Sequence, residues 1–569
     1  MERRVLLAIF LCFVVLYAWQ ALFVTPAPEP PSVSTSTPGP APAPSSPVKL
    51  EPPAASSPAP DSSMPAVATL VAEPTDRDIR IETEHVVAVF TNRGGLLKSW
   101  RLKDYQDANR APLELVTTEL AASHPLPFSW RVADQVTTDR LNGALYAASQ
   151  SDTSVAFEYR DSAGLHAVKE FRVDPKTYTL TFRGTASQND QPLMPAIEWG
   201  PGLGDHDSQA AKYAVKPGGI FSVGGEITRL AASAVATQPT YEDDFEYVGV
   251  DDHYFMTAAV KPGRAKVTFQ PASVPPAAGS NSAARDLMAY TIEPAKPGEA
   301  LTFYVGPKDF DALASIDVNF PKAINFGWFS VLVVPLLRSL NWIYGYVGNY
   351  GWAILVLTVF INLVLFPLNH KSVVSMRKMA EIQPEVKAIQ ERYSKLKATD
   401  PAKQKMNQEM MALYRERGVS PASGCIPILL TLPVFLAFYA LLTTAIELRG
   451  APFVGWIHDL SQPDPYYAMP ILVGLSQVWQ QWMTPATGMD PTQQKMMMIM
   501  PIVLIFVFVS TPSGALIYWF VGNVWRVGQM QLTNYMIGPP KVRIPGNAAA
   551  ERRLKRVGSG KTESAAKES

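Results

Sequence analysis

The hydrophobic and polar positions change their period midway along the chain. Between residues 76 and 308, short runs of β-branched and aromatic residues alternate with turn residues, as in VAFEYR, LHAVKEFRV and TYTLTFRG; this is typical of consecutive antiparallel strands. Beyond residue 350, long apolar runs occupy 352–368, 425–442, 467–483, 496–509 and 515–535. The pattern predicts an all-β sandwich domain at 76–308, then helices that cross a membrane at 351–370 and within 421–537.

A further apolar run lies near the N-terminus, at residues 5–24. About 20 residues are enough to cross roughly 30 Å of hydrocarbon, and a signal peptide has a shorter apolar core. Because Arg3 and Arg4 precede the run, we expect an uncleaved anchor at 1–24 with a cytoplasmic N-terminus; cleavage after the following Ala-Pro repeats is the alternative. Residues 25–75 are rich in Pro, Ala and Ser, which predicts an extended linker.

The segment before the later apolar runs has two interpretations. Residues 326–347 are rich in aromatic residues but carry Pro335, Arg338 and Asn341. These polar residues suit a helix lying in the membrane interface, within 309–350, better than a membrane span. The distribution of basic residues decides between the two.

Basic residues concentrate in two segments outside the apolar runs. Lys and Arg number eleven in 371–417 and eight from Lys541 onward, whereas 447–466 contains only Arg449. Cytoplasmic segments carry the excess of Lys and Arg, and both basic segments are cytoplasmic only if the chain has six spans. We therefore predict an α-helical polytopic membrane protein with six transmembrane helices, a periplasmic β domain, cytoplasmic termini and a basic tail at 538–569.

The basic segment at 371–420 is predicted to form a cytoplasmic helical hairpin. The apolar face of its first helix, with three- and four-residue spacing, consists of Met376, Met379, Ile382, Val386, Ile389, Tyr393 and Leu396. Asp400 and Pro401 begin a second helix. Its apolar positions are Met406, Met410 and Leu413. The methionines either pack the two helices together, the more common role, or bind varied apolar partners. The basic surface, which includes Arg377, could contact lipid head groups or ribosomal RNA.

Composition narrows the chemistry that the chain can perform. Its 569 residues have a formal net charge of zero, and its two cysteines, Cys12 and Cys425, both lie in apolar runs. A disulfide framework and a cysteine-based zinc cluster are therefore excluded. The seven histidines show no metal-ligand spacing such as HExxH. We expect no metal, no cofactor and no enzymatic activity.

Polar side chains in the predicted spans are amides, hydroxyls and indoles, and the five later spans contain no Asp or Glu. Thr358 and Asn362 lie one turn apart, and Trp519, Asn523 and Arg526 share a helix face. Hydrogen bonding between helices explains any single Asn, Gln or Thr. It does not explain Arg526, because an arginine deep in a span costs about 2.5–3.5 kcal/mol without water or a partner.

These residues together predict a hydrated groove that reaches half-way through the membrane and opens to the cytoplasm. Its secondary positions are Tyr518, Gln477, Gln480 and Thr431. The spans are also short, since 496–509 has 14 residues, and short spans thin the bilayer locally. A thin membrane beside a hydrated groove lowers the barrier to moving a polar segment across.

Several long segments resemble the YidC/Oxa/Alb family of membrane protein insertases, in the order that the family has them. They are LTVFINLVLFPLN, QEMMALYRERGVSPASGCIPILLTLPVFLAFYALL, ELRGAPFVGWIHDLSQPDPYYAMPIL, DPTQQKMMMIMP and PSGALIYWFVGN. The resemblance is strong over about 326–540 and weaker over the β domain. The order of anchor, β domain and helical core resembles the Gram-negative YidC type.

The resemblance implies a five-helix insertase core in the bacterial inner membrane, with a hydrophilic groove closed on the periplasmic side. Clients with one or two spans would slide along the helices that contain Thr358 and Trp519. The implied partners are nascent membrane proteins, the Sec translocon, the ribosome and membrane lipids, without DNA. The cytoplasmic hairpin would capture clients, and the β domain, similar to sugar-binding sandwiches, would be largely dispensable for insertion.

One position departs from the family pattern. The family places an arginine in its groove within a TVxxR motif, and this chain has Asn362 there. Arg526 lies in the last span, where the family relative has an uncharged residue, and Trp519 stands where tyrosine is usual. We expect the positive charge to have moved from one wall of the groove to the other.

Two other functions fit parts of the sequence. A polytopic transporter would show paired acidic residues or an inverted repeat in its spans, and the sequence has neither. A membrane-tethered periplasmic protein that processes glycans would need clustered polar residues in the β domain. The candidates are Asp205, His206, Asp251, Asp252 and His253. Acidic and histidine residues adjacent in turns are usually solvated, so we expect these to be surface residues.

Overall fold

The computed structural model describes residues 68–107, 109–117, 124–200, 203–204, 215–274, 285–393, 402–419, 426–483 and 491–538. The predicted anchor at 1–24, most of the linker and nearly all of the basic tail lie outside these residues. The chain forms two compact units. One contains Val67–Glu381 and Val419–Val542, and the other contains Ile382–Gly418.

The described part of the first unit begins with a β-rich region. Its strands are β1 (Thr69–Val71), β2 (Asp78–Glu82), β3 (Val86–Thr91), β4 (Leu96–Gln106), β5 (Pro112–Glu114), β6 (Ser129–Arg131), β7 (Ala147–Gln150), β8 (Ser154–Asp161), β9 (Leu165–Val173), β10 (Thr179–Gln188), β11 (Gln191–Leu193), β12 (Ala196–Trp199), β13 (Gly218–Val223), β14 (Glu226–Leu230), β15 (Thr240–Asp251), β16 (Phe255–Val274), β17 (Arg285–Pro294) and β18 (Leu301–Pro307).

These strands form two antiparallel sheets that pack face to face. The larger sheet has the order β1-β8-β9-β10-β18-β16-β15-β13-β14, with shorter strands at its sides, and the smaller is β2-β3-β4-β5. Phe90 of β3 contacts Phe171 of β9, with ring centroids 4.8 Å apart, and Phe157 of β8 at 6.4 Å. Aromatic rings from both sheets thus fill one core, as in the predicted sandwich.

The domain begins earlier than the sequence pattern indicates. β1 pairs with β8, and Glu73 accepts hydrogen bonds from Arg77, from Asn92 and from the backbone N–H of Ala148. The predicted linker boundary at residue 75 is therefore too late. Alternation could not locate it because β1 has only three residues.

One inward position of β9 holds a lysine instead of an apolar residue. Lys169 is fully buried, and its ammonium donates to the carbonyl oxygens of Gly94 and Phe128, each at 2.8 Å. The same ammonium lies 4.5 Å from the centre of the Trp130 ring. Burial lowers the pKa of Lys169 well below its usual range, and the two carbonyls and the ring compensate the lost hydration.

Helices dominate the remainder of the described chain. They are α1 (Gln135–Gly143), α2 (Ala232–Thr237), α3 (Phe310–Ile316), α4 (Ser330–Val347), α5 (Tyr350–Glu381), α6 (Gln383–Arg392), α7 (Ala402–Glu416), α8 (Ile426–Thr444), α9 (Ala468–Met483), α10 (Pro491–Phe508) and α11 (Ser513–Ile537). α1 to α3 accompany the β-rich region, and α6 and α7 belong to the second unit.

Among the described helices, α5 alone is long and apolar enough to cross a membrane by length and composition; shorter apolar stretches occupy Leu432–Thr444 and Met498–Phe508. α5 is continuous for 32 residues, so the boundary predicted between a span at 351–370 and a hairpin from 371 falls inside one helix. Met376 and Met379 therefore lie on α5. A helix continues past its membrane segment when the next residues also favour helix, and hydropathy cannot show that end.

α4 exposes large aromatic side chains and buries apolar ones. Trp342 and Tyr346 are 66% and 75% exposed, while Leu337 and Leu340 on the same helix are buried. Tyr344 stacks on Tyr350 at the start of α5, with centroids 3.9 Å apart. Amphipathic rings of this kind favour the membrane–water interface.

The second unit is a pair of packed helices. Val386 and Ile389 of α6 and Met406 and Met410 of α7 are buried. Two polar contacts reinforce the pair: Arg417 with Glu385 at 2.9 Å, and Tyr393 with Glu409 at 2.8 Å. Burial of these methionines favours the interpretation in which they hold the two helices together.

A buried carboxylate yields the first prediction. The Asp161 side chain is fully buried and accepts hydrogen bonds from Arg140, from Tyr159 at 3.1 Å, and from the backbone N–H groups of Ala163 and Leu165 at 3.0 Å. Asp161→Ala leaves a guanidinium and two amides unpaired, so we expect the free energy of unfolding to fall by about 3 kcal/mol. Pulse proteolysis of the full chain in urea and detergent measures this change.

Asp286→Ala is the matched control. Asp286 pairs with Lys216 at 3.3 Å, and both side chains are more than half exposed. Exposed pairs contribute less than about 1 kcal/mol, so this variant should unfold close to the parent. Equal effects of the two substitutions would contradict a special role for the buried carboxylate.

Candidate functional site

A cavity of about 200 Å³ lies between α5, α8 and α11. Its lining consists of Ile361, Asn362 and Leu365 of α5, Leu432, Val434 and Phe435 of α8, and Tyr518, Trp519, Gly522 and Arg526 of α11. The structure therefore brings together four predicted positions, Asn362, Tyr518, Trp519 and Arg526.

The cavity carries one positive charge and one amide, which come from two different helices. Arg526 of α11 is exposed, whereas Asn362 of α5 is 8% exposed and donates to the carbonyl of Thr358 at 2.8 Å. No carboxylate lines the cavity among the described residues. A guanidinium without an acidic partner needs water or a ligand when it lies in hydrocarbon, so the cavity favours an anionic or strongly polar occupant.

α8 and α11 form an aromatic wall of the cavity. The ring of Tyr518 stacks on Phe438 at 4.3 Å between centroids, and Trp519 meets Phe435 at 4.7 Å and Phe508 at 4.8 Å. The indole N–H of Trp519 donates to Gln477 Oε1 of α9 at 3.3 Å. These contacts fix both rings from α8, α9 and α10, so the wall is preorganised.

Two residues predicted to line the groove instead form hydrogen bonds within or between helices. Thr358 is fully buried, and its hydroxyl donates to the carbonyl of Ile354 at 2.6 Å. Asn523 is 1% exposed, and its amide donates to Ser476 Oγ of α9 at 2.9 Å. Neither residue lines the cavity.

Helix geometry explains the different places of Asn523 and Arg526. At about 100° per residue, position 523 is turned about 40° from Trp519 in one direction and position 526 about 20° in the other. The two residues therefore point about 60° apart. Residue spacing alone therefore cannot tell which residue of a helix face packs against a neighbouring helix and which lines the cavity.

The other secondary positions also lie away from the lining. Gln477 reaches the cavity only through Trp519, and Gln480 is half-buried on α9. Thr431 lies in α8 at a position whose side chain is outside the described residues.

Sequence reasoning missed a set of polar contacts between α5 and α11. His370 Nδ1 lies 3.0 Å from Thr533 Oγ1, and the amide of Gln529 donates to the carbonyl of Phe366 at 3.3 Å. Arg377 is buried and donates to the carbonyl of Gly538. It therefore joins α5 to the end of α11, although the hairpin prediction placed it at a surface for clients or ribosomes. The polar residues of both helices could have indicated that these helices bind each other, but their spacing does not show which residues pair.

A compact loop covers the N-terminal end of α11. The backbone N–H and hydroxyl of Ser513 both donate to the carbonyl of Gln462 at 2.8 Å, and the N–H of Gly514 donates to the carbonyl of Leu460 at 2.9 Å. Asp464 is buried and accepts from the N–H of Met469 at 2.6 Å and the Trp456 indole at 3.0 Å. This loop closes the helical bundle at that end.

The polar turn of the β-rich region is not solvated. Asp251, Asp252 and His253 are 3%, 0% and 2% exposed, so the expectation of surface residues is wrong for these three. Asp251 forms a buried ion pair with Lys308 at 2.9 Å, and contacts with the helical region exclude water from the turn. Asp205 and His206 lie outside the described residues.

Comparison with known proteins covers both regions of the chain. The family described as 60Kd inner membrane protein matches residues 342–539, and the family described as YidC periplasmic domain matches residues 78–339. A protein of Geotalea daltonii named Membrane protein insertase YidC is 32% identical over 94% of this chain and 99% of its own length. One of the same name from Syntrophus aciditrophicus is also 32% identical, over 94% and 99%.

A solved structure also resembles the chain. Its title is "Active YidC insertase crystal structure with the first transmembrane domain resolved". It is 18% identical, covers 83% of this chain and 95% of that chain, and has a TM-score of 0.36.

The division into lining and packing residues predicts different accessibility to water. With Cys12 and Cys425 replaced by serine, Asn362→Cys and Arg526→Cys should react with an aqueous maleimide several-fold faster than Thr358→Cys and Asn523→Cys. The reason is that maleimide reacts with the thiolate, which forms only in water. Mass spectrometry of the reconstituted protein gives the rates. Equal rates at all four positions would contradict the assignment.

Proposed function

The chain belongs to the YidC family of membrane protein insertases, and from this premise we propose that its cavity between α5, α8 and α11 receives the polar segment of a client during insertion. The single observation that carries the proposal is the guanidinium of Arg526, which lines a cavity that holds no carboxylate among the described residues. Insertion involves no bond chemistry, so the chain is not an enzyme.

The family defines the coarse architecture. The chain is a bacterial inner-membrane protein with a periplasmic β-rich domain and a helical core. We further infer six spans, with α4 in the interface and both termini cytoplasmic. The support is the excess of Lys and Arg in 371–417 and in the tail, together with the exposed aromatic rings of α4.

The lining suits the two parts of a client that is partly inserted. Arg526 and Asn362 would stabilise a polar or acidic tail, because they replace some of the water that the tail loses. An apolar client helix gains from the aromatic wall of Tyr518 and Trp519, where it can leave sideways into lipid. The loop that closes the bundle at the start of α11 would stop the groove from becoming a pore.

We infer that Arg526 takes over the task of the family's groove arginine. Asn362 stands at that arginine's position in the motif, and the two residues line the same cavity from α5 and α11. A charge acts on a flexible client tail through distance more than direction, so either wall can serve.

Partners follow from the same architecture. We propose four partners: nascent membrane proteins, lipids, the ribosome and the Sec translocon. The ribosome would bind at the basic hairpin, and the Sec translocon beside the helical core. The hairpin has exposed basic residues for RNA or lipid phosphates, since Lys387 of α6 and Lys405 of α7 are exposed. Because Met406 and Met410 are buried, a client that used them would first have to part the two helices.

The charge hypothesis predicts a loss and a rescue. Arg526→Ala should lower the rate of client insertion about tenfold, corresponding to about 1.4 kcal/mol, because the tail loses its counter-charge. Asn362→Arg in the Arg526→Ala background should restore most of that rate. The assay uses purified protein in liposomes and ribosomes translating a single-spanning client, and it measures protease protection of the translocated tail.

Two variants serve as controls. Arg526→Lys keeps the charge and should retain activity, while Arg264→Ala removes an exposed arginine of the β domain and should have no effect. Full activity of Arg526→Ala would refute the charge hypothesis but leave the insertase intact. Absence of protection with the parent protein across several clients would argue against insertion by this protein alone.

A further inference from the structure

The turn between β15 and β16 makes a buried contact with the end of a groove helix. His253 in this turn is 2% exposed, and its Nε2 lies 2.9 Å from the carbonyl oxygen of Thr443. Its other ring nitrogen, Nδ1, accepts a hydrogen bond from the backbone N–H of Val215 at 3.3 Å. One imidazole thus joins two segments of the β-rich region to α8.

These two partners fix the protonation state of the ring. A backbone carbonyl can only accept, so Nε2 carries the proton, and a backbone N–H can only donate, so Nδ1 must be bare. Protonation of Nδ1 would set two N–H groups against each other. The docked turn therefore accepts only the neutral Nε2–H form of His253.

The carbonyl of Thr443 is a natural docking point. α8 ends at Thr444, and the last four carbonyls of a helix have no partner within the helix. The hydroxyl of Thr443 is already engaged with the carbonyl of Tyr439 at 2.9 Å. His253 thus satisfies a helix-terminal group that would otherwise need water or another donor.

Several further contacts surround this hydrogen bond. Arg449, just after α8, lies over the rings of Phe255 and Tyr254 at 5.3 and 6.0 Å and donates to the carbonyl of Gln106 at 3.2 Å. On the other side of the turn, the ammonium of Lys308 donates to the carbonyl of Asp252 and pairs with Asp251. The seam is thus polar, buried and built from both regions.

Within the described part of the chain, the charges around His253 come from four segments. Asp251 and Asp252 lie in its own turn, Lys308 follows β18, and Arg449 follows α8. Lys216, close to Val215, is exposed and pairs with Asp286. Desolvation lowers the pKa of His253 to about 4, and the positive charge of Lys308 acts in the same direction.

A lowered pKa makes docking sensitive to acid. When the turn is undocked and hydrated, His253 titrates near 6.5. As the pH falls from about 6.5 towards 4, the undocked form gains a proton that the docked form refuses, so docking weakens through this window. Between pH 7.5 and pH 5 the docking equilibrium should shift on the order of 30-fold towards the undocked form.

We propose that His253 is a positioning residue for insertion: in its neutral form it pins the C-terminal end of α8 to the β domain and so holds one wall of the groove, and its protonation releases that wall. This inference rests on the proposed function, because α8 supplies Leu432, Val434 and Phe435 to the cavity. The β domain, implied to be largely dispensable for insertion, then affects the rate at which clients enter and not the ability to insert them.

Hydrogen exchange of the full chain in lipid nanodiscs tests the contact itself. At pH 7.5, His253→Ala should speed exchange at least tenfold in peptides covering Val215 and the end of α8, after correction for intrinsic rates. The parent should show comparable loss of protection at pH 5. His253→Gln can still donate to Thr443 but does not titrate, so its protection should be the same at both pH values.

His166→Ala is the matched control, because His166 is a half-exposed histidine of the β domain that pairs with Glu158. It should leave the α8 peptides unchanged at both pH values. Unchanged protection in His253→Ala would overturn the proposal. So would an equal acid response of the parent and His253→Gln, since another group would then be titrating.

Client insertion into liposomes, with the lumen clamped at pH 7.5 or 5 and the β domain inside, tests the consequence for function. Insertion by the parent should slow several-fold with an acidic lumen, while His253→Gln should not respond. Altered exchange with an unchanged insertion rate would overturn the positioning role and leave only a structural contact. If the parent inserts no client at pH 7.5, the proposed function fails, while the exchange experiment still decides whether the contact exists.

Discussion

A polar group removed from water must find a partner inside the protein, and this requirement shapes both regions of the chain. In the β domain it gives Lys169 two carbonyls and an aromatic face, and Asp161 a guanidinium, a hydroxyl and two amides. In the helical core it pairs Asn523 with Ser476, and His370 with Thr533. Against this background Arg526 stands out, because its cavity offers no carboxylate among the described residues.

The lining of the groove therefore consists of the side chains that α11 does not use to bind its neighbouring helices. α11 uses Asn523, Gln529 and Thr533 to bind its neighbours, and these residues fix its rotation about its own axis. With that rotation fixed, Trp519 and Arg526 face the cavity. The polar contacts between helices and the lining of the cavity are two results of one arrangement, so a change in either should affect the other.

The sequence predicts the features that follow from the periodicity of apolar residues. It does not predict which side chains that are distant in sequence bind each other. Strict alternation located β8, β9 and β10, and the resemblance indicated the helical core. Alternation puts Lys169 on the inward face of β9, but it could not show which carbonyls receive its ammonium or that three-residue β1 starts the domain. Spacing placed Thr358 and Asn523 with the groove, although one bonds its own helix and the other α9. The burial of Asp252 and His253 depends on a helix end 190 residues away in sequence, and local composition contains no trace of it.

The continuity of α5 has a mechanical consequence. At about 1.5 Å per residue its 32 residues extend about 48 Å, well beyond the roughly 30 Å of bilayer hydrocarbon. Pro367 lies inside this helix, between Asn362 and Glu381, and a proline in a helix interior removes one backbone hydrogen bond and favours a bend. The two parts of α5 are therefore joined without a loop but with one weak point, at which the end near Glu381 bends without turning Asn362.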